Sequence, residues 1–487
     1  MSRMVLLLLE MIAVATLAMV ASSHFGVADG ARITAAFAVA YVVPLVLLRR
    51  ARGTSDAAHL LLLLLAVFLS WVALDSMQHW IELDGYSLQR PNLHDDSRRY
   101  YKWALHHYDG SVGPASSVFP GFPLMMLGLW KLFGLSVIWP LAMNMMCTMT
   151  SVVLTGMTTR RLLSHRVKLP LQVLLLGGML LPCLMPYYLM SGISILKEGI
   201  IFLSVSMAGF SLSSMVTVDE DRFSLWRDIV TFVVACLLVT LVRTTFLYVL
   251  LLGLLIMTLP HWRRDWILTL CLTVLIIVLL FVGNYFASYS FDRHAEIVSG
   301  GWNMQRIYFK NTFYTSVIGY YFLYSPWHKF LMLPVTMPLQ FILPLPWVPP
   351  GSASNLLTIF CRVTYGWYLI GGVFVFYALF LSWRRDGSMG VWPWWPMIYY
   401  VALAYVMGGV MARYLLPAVP LIVPVVVYVL CRVYEGRWRR MFTWWMIFLV
   451  VTMTLVLLAC LEMQTGAVSS FLHVDRIIPY PRTYPSL

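Results

Sequence analysis

Long apolar runs separated by short polar segments extend along almost the whole chain. An α-helix needs about 20 mainly apolar residues to cross the hydrocarbon core of a bilayer, and many of these runs approach that length. The pattern predicts about thirteen transmembrane helices, at residues 4–22, 33–48, 59–76, 137–159, 170–190, 198–216, 229–242, 245–260, 266–286, 366–383, 391–410, 416–433 and 441–461. We therefore expect an all-α, polytopic transmembrane helical bundle that forms a single domain over residues 1–487.

Two long polar stretches interrupt the apolar runs, and we expect both to lie on the same side of the membrane as outer loops, at 77–136 and 287–365. In the first loop, the segment from Phe119 to Pro123 opens an apolar helix that ends near Gly134 and is too short to span. We expect it to lie at the membrane interface. The proline-rich segment from Leu333 to Pro350 in the second loop is predicted to form a similar interfacial or re-entrant element.

Composition and charge agree with a membrane protein. The chain is 60% hydrophobic and only 11% charged, whereas soluble domains have about 25% charged residues. Its net charge is +13, but Lys and Arg gather at the ends of apolar runs, as at Arg49–Arg50, Arg160–Arg161 and Arg432–Arg440. Such clusters mark cytoplasmic loops. We therefore expect membrane lipids around the bundle, a cytoplasmic N-terminus and no nucleic-acid partner.

The first outer loop contains the densest group of ionisable residues. Two carboxylates are followed closely by three cations: Asp95, Asp96, Arg98, Arg99 and Lys102. If Asp96 begins a helix, the carboxylates lie where the helix dipole favours negative charge, and Tyr100, Trp103 and Ala104 face the membrane. The segment is then either an interfacial amphipathic helix or a site where a carboxylate takes a proton beside cations that hold a phosphate.

Two further elements carry charge at predicted outer helix ends. Lys197 and Glu198 form a cation–carboxylate pair that either anchors its helix at the interface or, because ionisable groups at membrane depth are costly, has a functional role. Arg413 and Tyr414 lie between two apolar runs. Arg413 is a candidate phosphate ligand, since a guanidinium binds phosphate in a bidentate manner, and the alternative is an anchor to lipid headgroups.

Several short motifs follow one another along the chain: Asp95–Asp96 with Tyr100 and Ala104, the run from Phe119 to Gly134, Asn144 in a helix that ends at Arg160–Arg161, the segment from Ser194 to Glu198, and the segment from Ala412 to Pro417 with Pro420 after it. Their order and shared sidedness resemble the GT-C superfamily of polytopic glycosyltransferases, which use polyprenyl-phosphate sugars. The resemblance covers mainly Asp95 to Phe210. In that family the acidic motif usually follows the first helix, whereas two additional spans precede it here. Asp75 therefore remains a further candidate carboxylate.

The resemblance implies a sugar transfer from a polyprenyl-phosphate donor to a lipid-linked or surface glycan acceptor on the non-cytoplasmic face, in the bacterial inner (plasma) membrane. Asp95, Asp96 and Glu198 are then the catalytic candidates. The donor phosphate and substrate would be bound by Arg98, Arg99, Tyr100, Lys102, Lys197, Arg413 and Tyr414. The sequence does not decide whether a metal cofactor is needed, and the pair Asp95 and Asp96 would permit Mg²⁺ or Mn²⁺.

Two alternatives compete with this interpretation. A polysaccharide polymerase or ligase of the O-antigen type also joins lipid-linked sugars outside, but the acidic pair Asp95–Asp96 favours the transferase. A non-enzymatic flippase or transporter of lipid-linked sugars should place its ionisable residues near the bilayer midplane, often beside broken helices. Here they gather at the predicted outer boundary instead.

Overall fold

A computed structural model of the protein describes residues 3–51, 54–93, 95–110, 121–216, 222–243, 245–258, 389–407 and 415–437, with isolated positions between 274 and 454. These residues are mainly helical and contain no β-strand, since Ser87 and Arg90 form only an isolated bridge. In chain order the helices are α1 (Arg3–Phe25), α2 (Val27–Arg50), α3 (Asp56–Ile81), α4 (Asp95–Tyr108), α5 (Gly121–Phe133), α6 (Ile138–Leu163), α7 (Leu171–Cys183), α8 (Pro186–Ile193), α9 (Glu198–Val216), α10 (Arg222–Val242), α11 (Thr245–Thr258), α12 (Trp394–Met407) and α13 (Val419–Arg432). The predicted helical fold class is confirmed.

Within this described part, six helices are long and apolar enough to cross a membrane: α1, α2, α3, α6, α9 and the stretch Leu416–Gly436 that contains α13. The predicted run at 170–190 is divided into α7 and α8, and α10, α11 and α12 lie where further spans were predicted. The spans at 266–286, 366–383 and 441–461 and the loop at 287–365 lie outside the described residues, apart from isolated positions. The chain is thus compatible with several membrane crossings, and the total of thirteen remains a prediction.

The centre of the bundle is the contact between α6 and α9, which pack together along their length. The surfaces of α6 and α9 that face each other carry small hydroxyl side chains. The Ser151 Oγ atom lies 2.6 Å from the Tyr188 hydroxyl and 2.5 Å from the Ser206 Oγ atom, and all three residues are buried. Small and hydroxyl residues let helices approach closely and bond across the interface where hydrophobic burial offers little gain.

The contact between α6 and α7 uses glycine for the same purpose. A Cβ atom at Gly178 would lie 2.8 Å from the Cα atom of Gly156, and one at Gly156 would lie 2.8 Å from the Leu175 carbonyl oxygen. Any side chain at either position would force the two backbones apart. The pair therefore fixes α7 against the central helix.

Helices α6 and α9 run parallel, which defines two ends of the bundle. Asn144, near the start of α6, bonds to the backbone just before α9, whereas Arg161, near the end of α6, bonds to the Phe210 carbonyl. We call these the Glu198 end and the Arg161 end. The end of α3 lies at the Glu198 end, because Asn92 donates to the Trp80 carbonyl and Val137 to the Leu88 carbonyl.

Basic residues gather at the Arg161 end. Since α3 finishes at the Glu198 end, α2 finishes at the opposite end with Arg49 and Arg50. Arg160 and Arg161 end α6, and Arg432 ends α13, in which Tyr428 interacts electrostatically with Arg166 in the turn after α6. Three basic clusters that are far apart in sequence therefore share one end of the bundle.

Candidate functional site

The Glu198 end brings together α4, α5 and the segment that leads into α9. The Lys197 Nζ atom lies 5.6 Å from the centroid of the Tyr100 ring, a cation–π contact between the α9 entrance and α4. The other edge of Tyr100 meets Phe122 of α5 in a T-shaped contact with centroids 5.6 Å apart. Two of the predicted substrate residues, Tyr100 and Lys197, are thus in direct contact although they come from different loops.

Asn144 of α6 fixes the segment before Lys197. Its Nδ2 atom donates to the Ser194 carbonyl at 2.5 Å and to the Leu196 carbonyl at 2.7 Å. These carbonyls belong to a non-helical stretch between α8 and α9, which offers them no ladder partner. Asn144 is fully buried, and its own Oδ1 atom has no hydrogen-bond partner among the described residues. The side chain therefore positions the first turn of α9 and keeps one acceptor available.

Glu198 begins α9 and is only 5% exposed. Its Oε2 atom is fully buried and lacks a hydrogen-bond partner in the described part of the chain. A buried carboxylate oxygen without a partner is costly, and it is unusual enough in native structures to suggest a function. Of the two sequence interpretations, this burial favours the functional one over an interfacial anchor, because an anchor's head would reach water.

Helix α4 presents a charged face and a buried aromatic face. Arg98, Arg99 and Lys102 are exposed, and the Arg99 Nη1 atom lies 3.9 Å from the Asp96 Oδ1 atom. At this distance and exposure, the ion pair contributes little to stability. Because Asp96 lies one helical turn before Tyr100, both residues are on the face of α4 that turns toward Lys197.

The aromatic face of α4 differs from its predicted orientation. We expected Tyr100, Trp103 and Ala104 to face the membrane, but Tyr100 and Ala104 are buried within the protein, and α4 packs on α5. Trp103 is half-buried and stacks on the His107 ring. The prediction was wrong for the two buried residues, because an apolar stripe does not reveal whether lipid or another helix covers it.

Tyr101 anchors α4 to the preceding hairpin. Its hydroxyl donates to the Gln89 carbonyl at 2.8 Å, and its ring meets Trp130 of α5 edge-on at 4.8 Å. Burial raises the pKa of Tyr101 well above its ordinary value, so it remains a neutral hydrogen-bond donor. The Trp130 Nε1 atom in turn donates to the Ser136 carbonyl at 2.8 Å. These bonds hold α4 and α5 as one unit beside α6.

Three predicted site residues cannot be located in full. Asp95 begins α4, but its side chain lies outside the described residues, as do Arg413 and Tyr414. Helix α12 precedes those two residues and runs toward the Glu198 end, because Trp395 bonds to the Val249 carbonyl while Tyr399 meets Phe246 at the start of α11. Their part in the site remains a prediction.

A divalent-cation site is not formed by the side chains that the structure describes. No group of three His, Cys, Asp or Glu side chains is close enough to hold a metal ion in this part of the chain. Asp96 has Arg99 as a neighbour, and that positive charge opposes cation binding.

Two carboxylates, one partly buried and one fully buried, were missed by the sequence interpretation. Glu10 lies inside the apolar run of α1 and accepts a 2.9 Å hydrogen bond from the Tyr41 hydroxyl. Asp228 of α10 is 2% exposed and lies 3.1 Å from the Arg161 Nη1 atom. For Glu10 the available signal was a single acidic residue within an apolar run, since such residues are rare in membrane helices. Asp228 lies just before the predicted span at 229–242 and carried no such signal.

Comparison with known proteins gave no relative: no family model, no curated protein and no solved structure matches the chain.

Proposed function

We propose that the protein is a membrane glycosyltransferase of the GT-C type, which moves a sugar from a polyprenyl-phosphate donor to a lipid-linked or surface glycan acceptor. The observation that carries the proposal is the buried Glu198 carboxylate, which follows Lys197 in the chain and has an oxygen without a hydrogen-bond partner among the described residues. A carboxylate that can accept a proton next to a cation that can bind phosphate is what such a transfer needs.

The distribution of charge supports a non-cytoplasmic location for this site. Arg49–Arg50, Arg160–Arg161 and Arg432 share the Arg161 end, and clusters of this kind mark the cytoplasmic side. The Glu198 end then faces the other side, and α1 begins in the cytoplasm. We propose the bacterial inner membrane as the location.

The proposed reaction is a single displacement at the anomeric carbon. The acceptor oxygen attacks this carbon, the bond from the carbon to the phosphate oxygen breaks, and polyprenyl phosphate leaves with the electron pair. Glu198 takes the acceptor proton, with Asp96, Asp95 and Asp75 as the alternative bases. Lys197 and the α4 cations Arg98, Arg99 and Lys102 stabilise the departing phosphate, which is poorly solvated beside the membrane.

The test is Glu198→Gln in the full-length protein, reconstituted in vesicles with a panel of undecaprenyl-phosphate monosaccharides that are radiolabelled in the sugar. Loss of a general base should lower transfer by about 100-fold or more. Glu82→Gln is the matched control, because Glu82 is exposed near the end of α3 and its loss should leave transfer unchanged. Asp96→Asn, Asp95→Asn and Asp75→Asn assign the base if Glu198→Gln remains active. Full activity in all four variants would remove the proposal.

A transporter of lipid-linked sugars is the second candidate, and one observation favours it. The run at 170–190 is broken at Leu184–Met185, between α7 and α8, next to the fully buried Tyr188. Broken helices often form transport sites. The test follows a labelled lipid-linked sugar across the membrane of reconstituted vesicles. Transport without a new glycosidic bond would favour this candidate over the transferase, provided that Glu198→Gln retains the transport and Tyr188→Phe loses it.

A further inference from the structure

A mainly apolar cavity of about 750 Å³ lies between α1, α2 and α3, far in sequence from the site above. Its α1 wall extends from Glu10 to Val20, which is about 15 Å along the helix axis. Residues of α2 and α3 form the other walls, and Met145 of α6 closes one side. Most of the α1 surface is uncovered by the rest of the protein, so the cavity is open to the surrounding membrane along this helix.

One end of the cavity is charged. Glu10 lines it, with a side chain that is 14% exposed and that accepts a 2.9 Å hydrogen bond from Tyr41. The Arg49 Nη2 atom lies 4.0 Å from the Glu10 Oε2 atom, and the side chains of Arg49 and Arg50 are exposed at the end of α2. The cavity thus has an apolar interior and a charged end at the Arg161 end, where Glu10 lines the wall and Arg49 lies beside it. We call this end, together with Arg49 and the following Arg50, the cationic mouth; the two arginines flank the cavity and do not line it.

We propose that this cavity binds an anionic phospholipid, with an acyl chain in the apolar interior and the phosphate at Arg49 and Arg50. The elongated apolar walls match a hydrocarbon chain, and the two guanidinium groups complement a phosphate. Glu10 and Tyr41 orient Arg49 at the mouth, so that Glu10 acts as a positioning residue. The charged mouth of the cavity lies at the opposite end of the bundle from Glu198, and lipid binding there does not depend on the proposed sugar transfer.

Two sets of variants test the cavity and its mouth separately. Ala38→Phe and Val67→Trp fill the cavity from α2 and α3, whereas Ala35→Phe places the same bulk on an exposed position of α2 that does not line it. Arg49→Gln combined with Arg50→Gln removes the cationic mouth. Arg32→Gln is its control, since Arg32 is exposed near the other end of α2.

The measurement is native mass spectrometry of the full-length protein titrated with dioleoyl phosphatidylglycerol or dioleoyl phosphatidylcholine. We expect one tightly held phosphatidylglycerol, bound about tenfold more strongly than phosphatidylcholine. The cavity variants should lose it, the double Arg variant should lose the preference, and both controls should bind as the parent does. Equal binding of the two lipids by the parent protein would overturn the proposal. The proposal would also be overturned if the double Arg variant bound phosphatidylglycerol as strongly as the parent protein does, since its exposed substitutions leave the folded core intact. The same binding in a cavity variant that elutes as a folded monodisperse protein would overturn it too.

Discussion

The two ends of the bundle each bury a carboxylate, and they treat it in opposite ways. Both carboxylate oxygens of Asp228 at the Arg161 end have a cationic partner. The Arg161 Nη1 atom lies 3.1 Å from Oδ2, and the Arg227 Nη2 atom lies 3.3 Å from Oδ1. The Arg161 guanidinium also covers the Phe210 ring at 4.2 Å and donates to the Phe210 carbonyl. Glu198 at the other end has a buried oxygen with no hydrogen-bond partner among the described residues.

The contrast agrees with a structural role for Asp228 and with the reactive role proposed for Glu198. A paired and hydrogen-bonded carboxylate holds α6, α9 and α10 together, because removing either partner leaves a buried charge uncompensated. A carboxylate with an unused oxygen contributes little to the fold but can accept a proton or a substrate hydroxyl. Although both carboxylates are buried, we therefore expect replacement by an amide to lower stability at Asp228 and to lower activity at Glu198.

The largest expected effect on stability is that of Asp228→Asn. The substitution removes the negative charge while Arg161 stays largely buried, which should lower the free energy of unfolding by about 3 kcal/mol. Unfolding of the purified protein in mixed detergent and SDS micelles measures the change. Asp29→Asn is the control, because Asp29 forms an ion pair with the exposed Arg32. A stability equal to that of the parent protein would show that the Arg161–Asp228 pair does not hold the helices together.

Glu198→Gln should show the opposite behaviour in the same assay. The amide keeps the shape of the carboxyl group and leaves no described partner behind, so the unfolding free energy should change by less than about 1 kcal/mol while sugar transfer is lost. A large loss of stability would indicate that Glu198 has a structural role like that of Asp228. The two carboxylates would then not differ in role.

The next largest effect is expected from loss of the side chain that positions Glu198. Asn144→Leu removes both hydrogen bonds that fix the segment before Glu198 and should lower kcat for sugar transfer by about tenfold, because small displacements of a catalytic group are costly. Thr158→Val is the control, because it removes a hydroxyl that donates to the Leu154 carbonyl within α6. Unchanged kcat in Asn144→Leu would exclude a positioning role.

The smallest effect should come from the aromatic support of Lys197. Tyr100→Leu removes the ring beside the ammonium group and should raise KM for the lipid donor by about threefold, in line with a cation–π contact of about 0.7 kcal/mol. Tyr100→Phe keeps the ring and should behave as the parent protein does. Equal effects of the two variants would assign the role to the hydroxyl group instead.

Local patterns in the sequence predicted the helices well, and contacts between distant segments explain what they missed. Apolar runs located the six long helices, and the segment from Phe119 to Gly134 correctly indicated the short α5. A side chain at Gly121 would collide with the Leu241 carbonyl, so this glycine is needed where α5 meets α10.

The arrangement of the site depended on long-range contacts that no local pattern contains. Asn144 and Ser194 are 50 residues apart, and Tyr41 and Glu10 are 31 residues apart. The sequence placed Glu198 at a helix end, where an exposed anchor and a buried acid have the same local pattern. Only the packing of α6, α8 and α9 shows that its carboxyl group is buried.

We propose that the Glu198 end binds a lipid phosphate for sugar transfer. The most direct test is a cryo-electron microscopy structure of the full-length protein in nanodiscs with undecaprenyl phosphate. We expect the phosphate within about 4 Å of the Lys197 Nζ atom, between α4 and the start of α9. A phosphate bound at the Arg161 end, with Lys197 and α4 untouched, would contradict it.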